Sequence, residues 1–229
     1  MDTNRRILKQ AVFALLALFS SAALAQSAGT VTHLSGTLSV QRPDGSVRIL
    51  SQKSEVNPGD TLTTQRDSYA QINFTDGSSL TMRPNTQMKV EQYNFVQDKP
   101  QEDNSFLRLV KGGLRTVTGL VGKRGNQDAY KIGTNTATIG IRGSSADTAE
   151  DPDNLPKGTY HATYTGSYYL QNDGGIQLIG EGMFGFVRDR VTPPTILPGD
   201  PGLNLSQLPF ILGVSGANRG PMPSECVVR

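Results

Sequence analysis

Apolar residues in this chain recur at every second position, and turn-forming residues separate the runs. Ala70, Ile72 and Phe74 share one parity, with Gln71 and Asn73 on the other. That is the period of a half-buried strand. Leu38 and Val40, Leu80 and Met82, Met88 and Val90, Leu107 and Leu109, Ile139 and Ile141, and Ile176 and Leu178 repeat it. Between the runs stand Pro43-Asp44-Gly45, Asn57-Pro58-Gly59-Asp60, Asp76-Gly77-Ser78 and Asn172-Asp173-Gly174-Gly175. Glycine after Asp or Asn supplies the positive φ of a tight hairpin. Beyond the first 25 residues no apolar stripe of helical period is sustained. Residues 105–121 come closest, but Gly112, Gly113 and Gly119 would each weaken a helix there by about 1 kcal/mol. The pattern predicts an all-β chain of short repeated strands, arranged as a sandwich, barrel or solenoid.

The first 25 residues read as a secretory signal. Arg5, Arg6 and Lys9 precede an apolar run that ends in the small-x-small triplet Ala23-Leu24-Ala25. That run is shorter than the roughly 20 residues a membrane-spanning helix needs, so cleavage before Gln26 is the expectation, and with it a periplasmic or secreted protein. The formal net charge of the whole chain is +2. Arg5, Arg6, Lys9 and Asp2 contribute +3 − 1 = +2 of it, leaving 0 for the exported part. A neutral chain lacks the basic footprint of a nucleic-acid binder. No later run is long and apolar enough for a transmembrane helix. The lone cysteine, Cys226, excludes an internal disulfide framework; it reads as an incidental tail residue, with an intermolecular disulfide as the alternative.

Five segments are expected. Residues 1–25 are the signal and 26–143 the main β domain. Residues 144–157 form an acidic loop with Pro152 and Pro156, 158–191 a β extension on the same body, and 192–229 a Pro/Gly-rich tail. Within the tail, Pro209 to Val214 is an apolar patch suited to docking.

Residues that could carry chemistry have plainer readings. Asp60 and Asp76 each adjoin a glycine and read as turn formers. Asp147, Glu150, Asp151 and Asp153 could offer oxygens to Ca²⁺ but lack the spacing of an EF-hand loop. His33 and His161 are far apart in sequence, which speaks against a zinc site. Gly122-Lys123 is not a P-loop, because Val117 replaces its first glycine and Arg124 its hydroxyl residue. Gly213 to Ala217 misses the nucleophile elbow at its last position. Lys111, Arg115, Lys123 and Arg124 form a modest basic cluster, open to an anionic glycan or lipid headgroup but more simply a solvated face. Tyr160, Tyr164, Tyr168 and Tyr169 could stack on sugars or pack across strands. Arg142, between Gly140 and Gly143, reads as a structural arginine held by turn carbonyls or by a carboxylate such as Asp76, with anion recognition as the alternative. No catalytic, cofactor or metal residue is assigned, and the ligand-binding residues are left open.

Several stretches resemble a FecR-type domain, the periplasmic module associated with iron-dicitrate signalling. They are Gly29 to Leu38 (GTVTHLSGTL), Val56 to Thr64 (VNPGDTLTT), Ser68 to Ser78 (SYAQINFTDGS), Leu80 to Thr86 (LTMRPNT), Leu107 to Arg115 (LRLVKGGLR) and Thr138 to Gly143 (TIGIRG). The resemblance spans residues 29–143, about half of the chain, and residues 158–187 resemble the continuation seen in such proteins. It implies an all-β, repetitive, non-enzymatic fold, solenoid- or sandwich-like. The pattern departs after Gly143, where Ser144-Ser145 replaces the usual threonine and strand. The signalling regulators of the family also carry a cytoplasmic anti-sigma segment and a membrane helix before this module. A signal peptide stands in that place here, so a direct anti-sigma role is not expected. The expectation is a non-enzymatic binding or scaffold module of the cell envelope, without cofactor, with an envelope protein as partner and a small molecule or glycan as possible ligand. An accessory sensor signalling to a separate membrane partner is the alternative.

Overall fold

The computed structural model describes residues 27–142 and 145–202. The signal segment, Gly143-Ser144, the Pro209 to Val214 patch and Cys226 lie outside the described residues.

The chain opens with β1 (Gly29–Ser35), β2 (Leu38–Gln41), β3 (Val47–Leu50), β4 (Glu55–Val56) and β5 (Thr61–Thr64). The hairpin β6 (Tyr69–Phe74) and β7 (Ser79–Met82) follows, then β8 (Gln87–Asn94) and the long β9 (Asn104–Val117). Two further hairpins are β10 (Tyr130–Gly133) with β11 (Thr138–Ile141), and β12 (Ser145–Glu150) with β13 (Thr159–Thr165). The chain continues through β14 (Ser167–Asn172), β15 (Gly175–Gly180), β16 (Phe184–Val187) and β17 (Thr195–Leu197). The one helical element among the described residues is a 3₁₀ turn, Pro100–Glu102. No helix of the described residues is long and apolar enough to cross a membrane.

Pairing sorts the strands into two open sheets. The first runs β4-β1-β6-β7-β9-β12-β13-β16-β17. The second runs β3-β2-β5-β8-β9-β10-β11-β14-β15. All named pairs are antiparallel except β9 with β10. Strand β9 belongs to both sheets, which makes the whole one continuous 17-stranded structure. Its first part pairs with β8 and β10, and Gly112 to Val117 pairs with β7 and β12. The change of sheet falls at Gly112, whose φ of 88° only glycine adopts readily.

The sheets face one another across one main apolar core, with a small second cluster around Ala149 and Tyr160. Val31, Ala70, Ile72, Leu80, Met82 and Leu114 come from the first sheet, and Leu38, Val40, Leu62, Met88, Leu107, Leu109, Ile139 and Leu170 from the second. All of these but Val31, Leu62, Leu114 and Leu170 are residues whose alternation stands out in the sequence; Ile176 and Leu178, which share the pattern, are exposed on β15 instead. Burying each aliphatic side chain contributes roughly 1.5–3 kcal/mol. The Asp76-Gly77-Ser78 turn is held from inside: the Asp76 carboxylate accepts from the Ser78 N–H (3.0 Å), the Ser78 hydroxyl (2.6 Å) and the Val121 N–H (3.1 Å).

Two boundaries differ from expectation. Residues 145–150 of the expected acidic loop are strand β12, inserted between β9 and β13. Local acidity suggested solvation, but Asp147 is neutralised by the facing Arg115, a partner distant in sequence. The expected tail begins with strand β17, paired to β16.

Candidate functional site

The outer face of the second sheet is built from two cross-strand rows. One runs Gln92, Phe106, Lys131, Gly140, Tyr169 and Leu178 across β8, β9, β10, β11, β14 and β15. The other runs Lys89, Arg108, Gly133, Thr138, Gln171 and Ile176 over the same strands. Their inward neighbours Leu107, Ile132, Ile139 and Leu170 lie in the core, so the apolar alternation that makes the core also fixes what points out.

Two outward glycines make room for two rings. A Cβ on Gly140 would stand 1.8 Å from Tyr169 Cζ, and one on Gly133 would stand 3.0 Å from Phe106 Cζ. Each ring has an arginine beside it: Arg108 lies 5.4 Å from the Phe106 centroid and Arg142 lies 5.8 Å from that of Tyr169. Burial, and then the neighbouring Asp128, push the Tyr169 phenol above its usual range.

A cleft of about 640 Å³ opens over this face, between the 97–104 loop and the 126–128 turn. Its floor holds Phe106, Lys131 and Thr138, and its walls hold Gln92, Gln101, Asn104, Asn126 and the carboxylates of Glu102, Asp103 and Asp128. Each carboxylate has a cation of its own. Lys99 meets Glu102 at 3.0 Å, Arg124 meets Asp103 at 3.0 Å and Arg142 faces Asp128 at 3.6 Å. Arg108, next to the cleft, is paired with Glu91 at 2.7 Å. Lys131 makes no ion pair among the described residues, so it is the uncompensated charge of the cleft. A smaller recess of about 220 Å³ adjoins it across Thr138, lined by Arg108, Asn135, Gln171, Asn172 and Arg190 among others.

The residues singled out in the sequence are distributed, not gathered. Arg142 pairs with Asp128, not Asp76, and is half-exposed. Asp60 is buried; it accepts from the Asn57 N–H (2.8 Å) and from Arg42 (2.8 Å), and burial raises its pKa. Arg115 and Arg83 converge on Asp147, Arg124 binds Asp103 and the carbonyls of Val96 and Gln97, and Lys123 donates to the Thr118 carbonyl. Three of the four members of the basic cluster, Arg115, Lys123 and Arg124, are therefore spent on internal bonds, and Lys111 is exposed. Tyr160 packs on Phe186 with its ring centroid at 4.6 Å, Tyr164 donates to Asp147 at 2.8 Å, and Tyr168 is buried against His161. Only Tyr169 of the four belongs to the outer face described above. No group of three His, Cys, Asp or Glu side chains is placed to hold a metal among the described residues. Phe106 and Lys131 were not visible as site residues in the sequence. The one available signal was the pair Gly133 and Gly140 at outward positions of core strands, which marks where rings lie flat on a sheet.

A family model described as "FecR protein" matches residues 60–159. The matched span begins later than the resemblance read over residues 29–143 and continues through β12 to the first residue of β13. Two crystal structures of a "putative anti-sigma factor" from Parabacteroides distasonis are similar to this chain. One is 13% identical with a TM-score of 0.47, the other 12% identical with a TM-score of 0.48, and each match covers 61% of this chain and 60% of the other. The chain thus spans about 60% of the length of those structures. A solved "cell surface anchoring domain" is 26% identical over 27% of this chain and 82% of its own, with a TM-score of 0.27. No curated protein matches. The family match lies across the strands that link the two sheets, so a FecR domain is recognised over residues 60–159.

Proposed function

We propose that this protein is an exported, non-enzymatic FecR-domain module of the cell envelope that binds an envelope protein through a strand edge. The observation that carries the reading is β15. Among the described residues it pairs with β14 alone, which makes it an edge of the second sheet, six residues long and without proline or charge. Its Ile176 and Leu178 are 64% and 57% exposed. An uncharged edge with outward aliphatic side chains is a template for strand addition, in which main-chain hydrogen bonds supply affinity and side chains supply selectivity. The test is capture from an envelope fraction with the native protein and with Ile176→Lys/Leu178→Lys. Loss of a specific partner, with the melting temperature kept, supports the reading; undiminished capture by the double variant sinks it. The accessory-sensor reading has one observation in its favour, the cleft on the same sheet, whose Lys131 lies in the same cross-strand row as Leu178. Capture that changes with an added small molecule would favour the sensor.

A further inference from the structure

We infer that the cleft over β9, β10 and β11 is a binding site for a carboxylate-bearing saccharide, a uronic-acid oligosaccharide in chemical class. This goes beyond the partner edge proposed above and rests on different residues. Charge selects an anion: the three wall carboxylates each face their own cation, and among the described residues Lys131 has no carboxylate paired with it. A single ammonium matches one carboxylate. A phosphate dianion is more commonly met by an arginine fork or several cations. Hydrogen-bonding capacity selects a polyol. Asn104 Nδ2 donates to Gln92 Oε1 at 2.8 Å and Asn126 Oδ1 accepts from the Asp128 N–H at 2.9 Å, which leaves Gln92 Nε2 and Asn126 Nδ2 as donors and Asn104 Oδ1 as an acceptor, the mixture that adjacent sugar hydroxyls require. Phe106 supplies an apolar surface for the C–H face of a pyranose, beside Lys131 in the same cross-strand row. The volume of about 640 Å³ lies within the range of small-ligand clefts and has room for a short oligosaccharide.

Calorimetric titration of the whole exported chain with trigalacturonate, its methyl ester and citrate tests the assignment. Saturable binding of trigalacturonate is expected, at least about tenfold weaker for the ester, which keeps the sugar and removes the charge. Lys131→Gln should weaken trigalacturonate by a similar factor, and Phe106→Leu by several-fold. Leu178→Lys should leave it unchanged, so failure of this site and failure of the β15 edge are read separately. Equal binding of acid and ester overturns the proposal, as does citrate binding as tightly as trigalacturonate, or no saturable binding up to about 1 mM. The ester and citrate arms use the native protein and stand even if a variant folds poorly.

Discussion

Asp147 is fully buried and accepts from four donors: Arg115 Nε and Nη2 at 2.7 and 2.8 Å, Tyr164 Oη at 2.8 Å and Arg83 Nη2 at 3.4 Å. Burial, reinforced by Asp147, pushes the Tyr164 phenol up to about 12, so it remains a donor at neutral pH. Removing the carboxylate leaves two guanidiniums facing each other. Both are partly exposed, which places the expected cost of Asp147→Ala at the lower end of a broken buried pair, about 3 kcal/mol. A urea melt should show a lower midpoint with an unchanged slope. His161 makes a second, pH-dependent prediction. Its ring lies 4.7 Å from that of Tyr168, Nδ1 is 3.1 Å from the Thr148 hydroxyl, and burial pushes its pKa down to about 3. The folded state therefore binds fewer protons than the unfolded chain, whose histidine titrates near 6.5. Its contribution is intact above pH ~6.5 and falls as pH drops toward 3, by at most about 1.4 kcal/mol per pH unit. Buried Glu150 and Asp60 have raised pKa values and act in the opposite sense: their contribution is present below the unfolded carboxylate value and lost as pH rises through the raised one. The His161 part is isolated by comparing native protein with His161→Gln. The stability gap between them should shrink as pH falls from 6.5 to about 4; a gap independent of pH would mean the ring is not buried neutral.

Glycines decide how the elements meet, and they separate by what lies opposite. At Gly112, where β9 changes sheet, a Cβ would meet Thr86 Cα at 2.6 Å and the Asn85 carbonyl at 3.0 Å, at a φ of 88°. At Gly119 it would meet the Ser78 nitrogen at 2.2 Å and the Asp76 carbonyl at 2.5 Å. Backbone cannot yield as a side chain can, so Gly112→Ala and Gly119→Ala should each cost about 2 kcal/mol or more. Gly133→Ala meets only side chains, the tip of the Phe106 ring at 3.0 Å and Arg108 Cζ at 3.5 Å, and should cost less than either. Thermal melts of the three variants rank them; a ranking with Gly133→Ala worst would contradict this assignment of contacts. The same contrast explains what the sequence disclosed. The strands β6, β7, β8 and β11 were legible because their inward parity is apolar and their turns carry Asp-Gly or Asn. Strand β12 was not legible: Ser145 to Glu150 contains two carboxylates and no large apolar residue. Its stability comes from Arg115 opposite Asp147 and from Thr159, whose hydroxyl donates to Glu150 at 2.6 Å, and neither pairing leaves a local trace. The cleft was hidden for a similar reason. Phe106 and Lys131 are 25 residues apart in sequence and become neighbours only through the parallel pairing of β9 with β10.

At the scale of the molecule, the core does not divide where the family match ends. Ile139 and Ile141 of β11 pair with Leu170 and Tyr168 of β14, and Tyr168, Leu170, Ile179 and Val187 lie in the same cluster as Val31, Leu38 and Leu62. Cutting the chain after Thr159 would strip β11 of β14, one of its two partners, and expose these core faces. Starting it at Asp60 would remove β1 and β2, leaving β6 paired only with β7 and β5 only with β8. The matched residues 60–159 are therefore expected not to fold alone, although they carry the family's signature. The whole described body, residues 27–202, should unfold in one cooperative step, because both sheets share β9 and one core. Circular dichroism melts of fragments 60–159, 27–159 and 27–202 test this. A cooperative transition is expected only for the longest. A sharp transition in 60–159 would show instead that the segment around β9 is an independent unit to which the flanking hairpins are merely added, and the second sheet's outer face would then owe its geometry to local pairing, not to the stack as a whole.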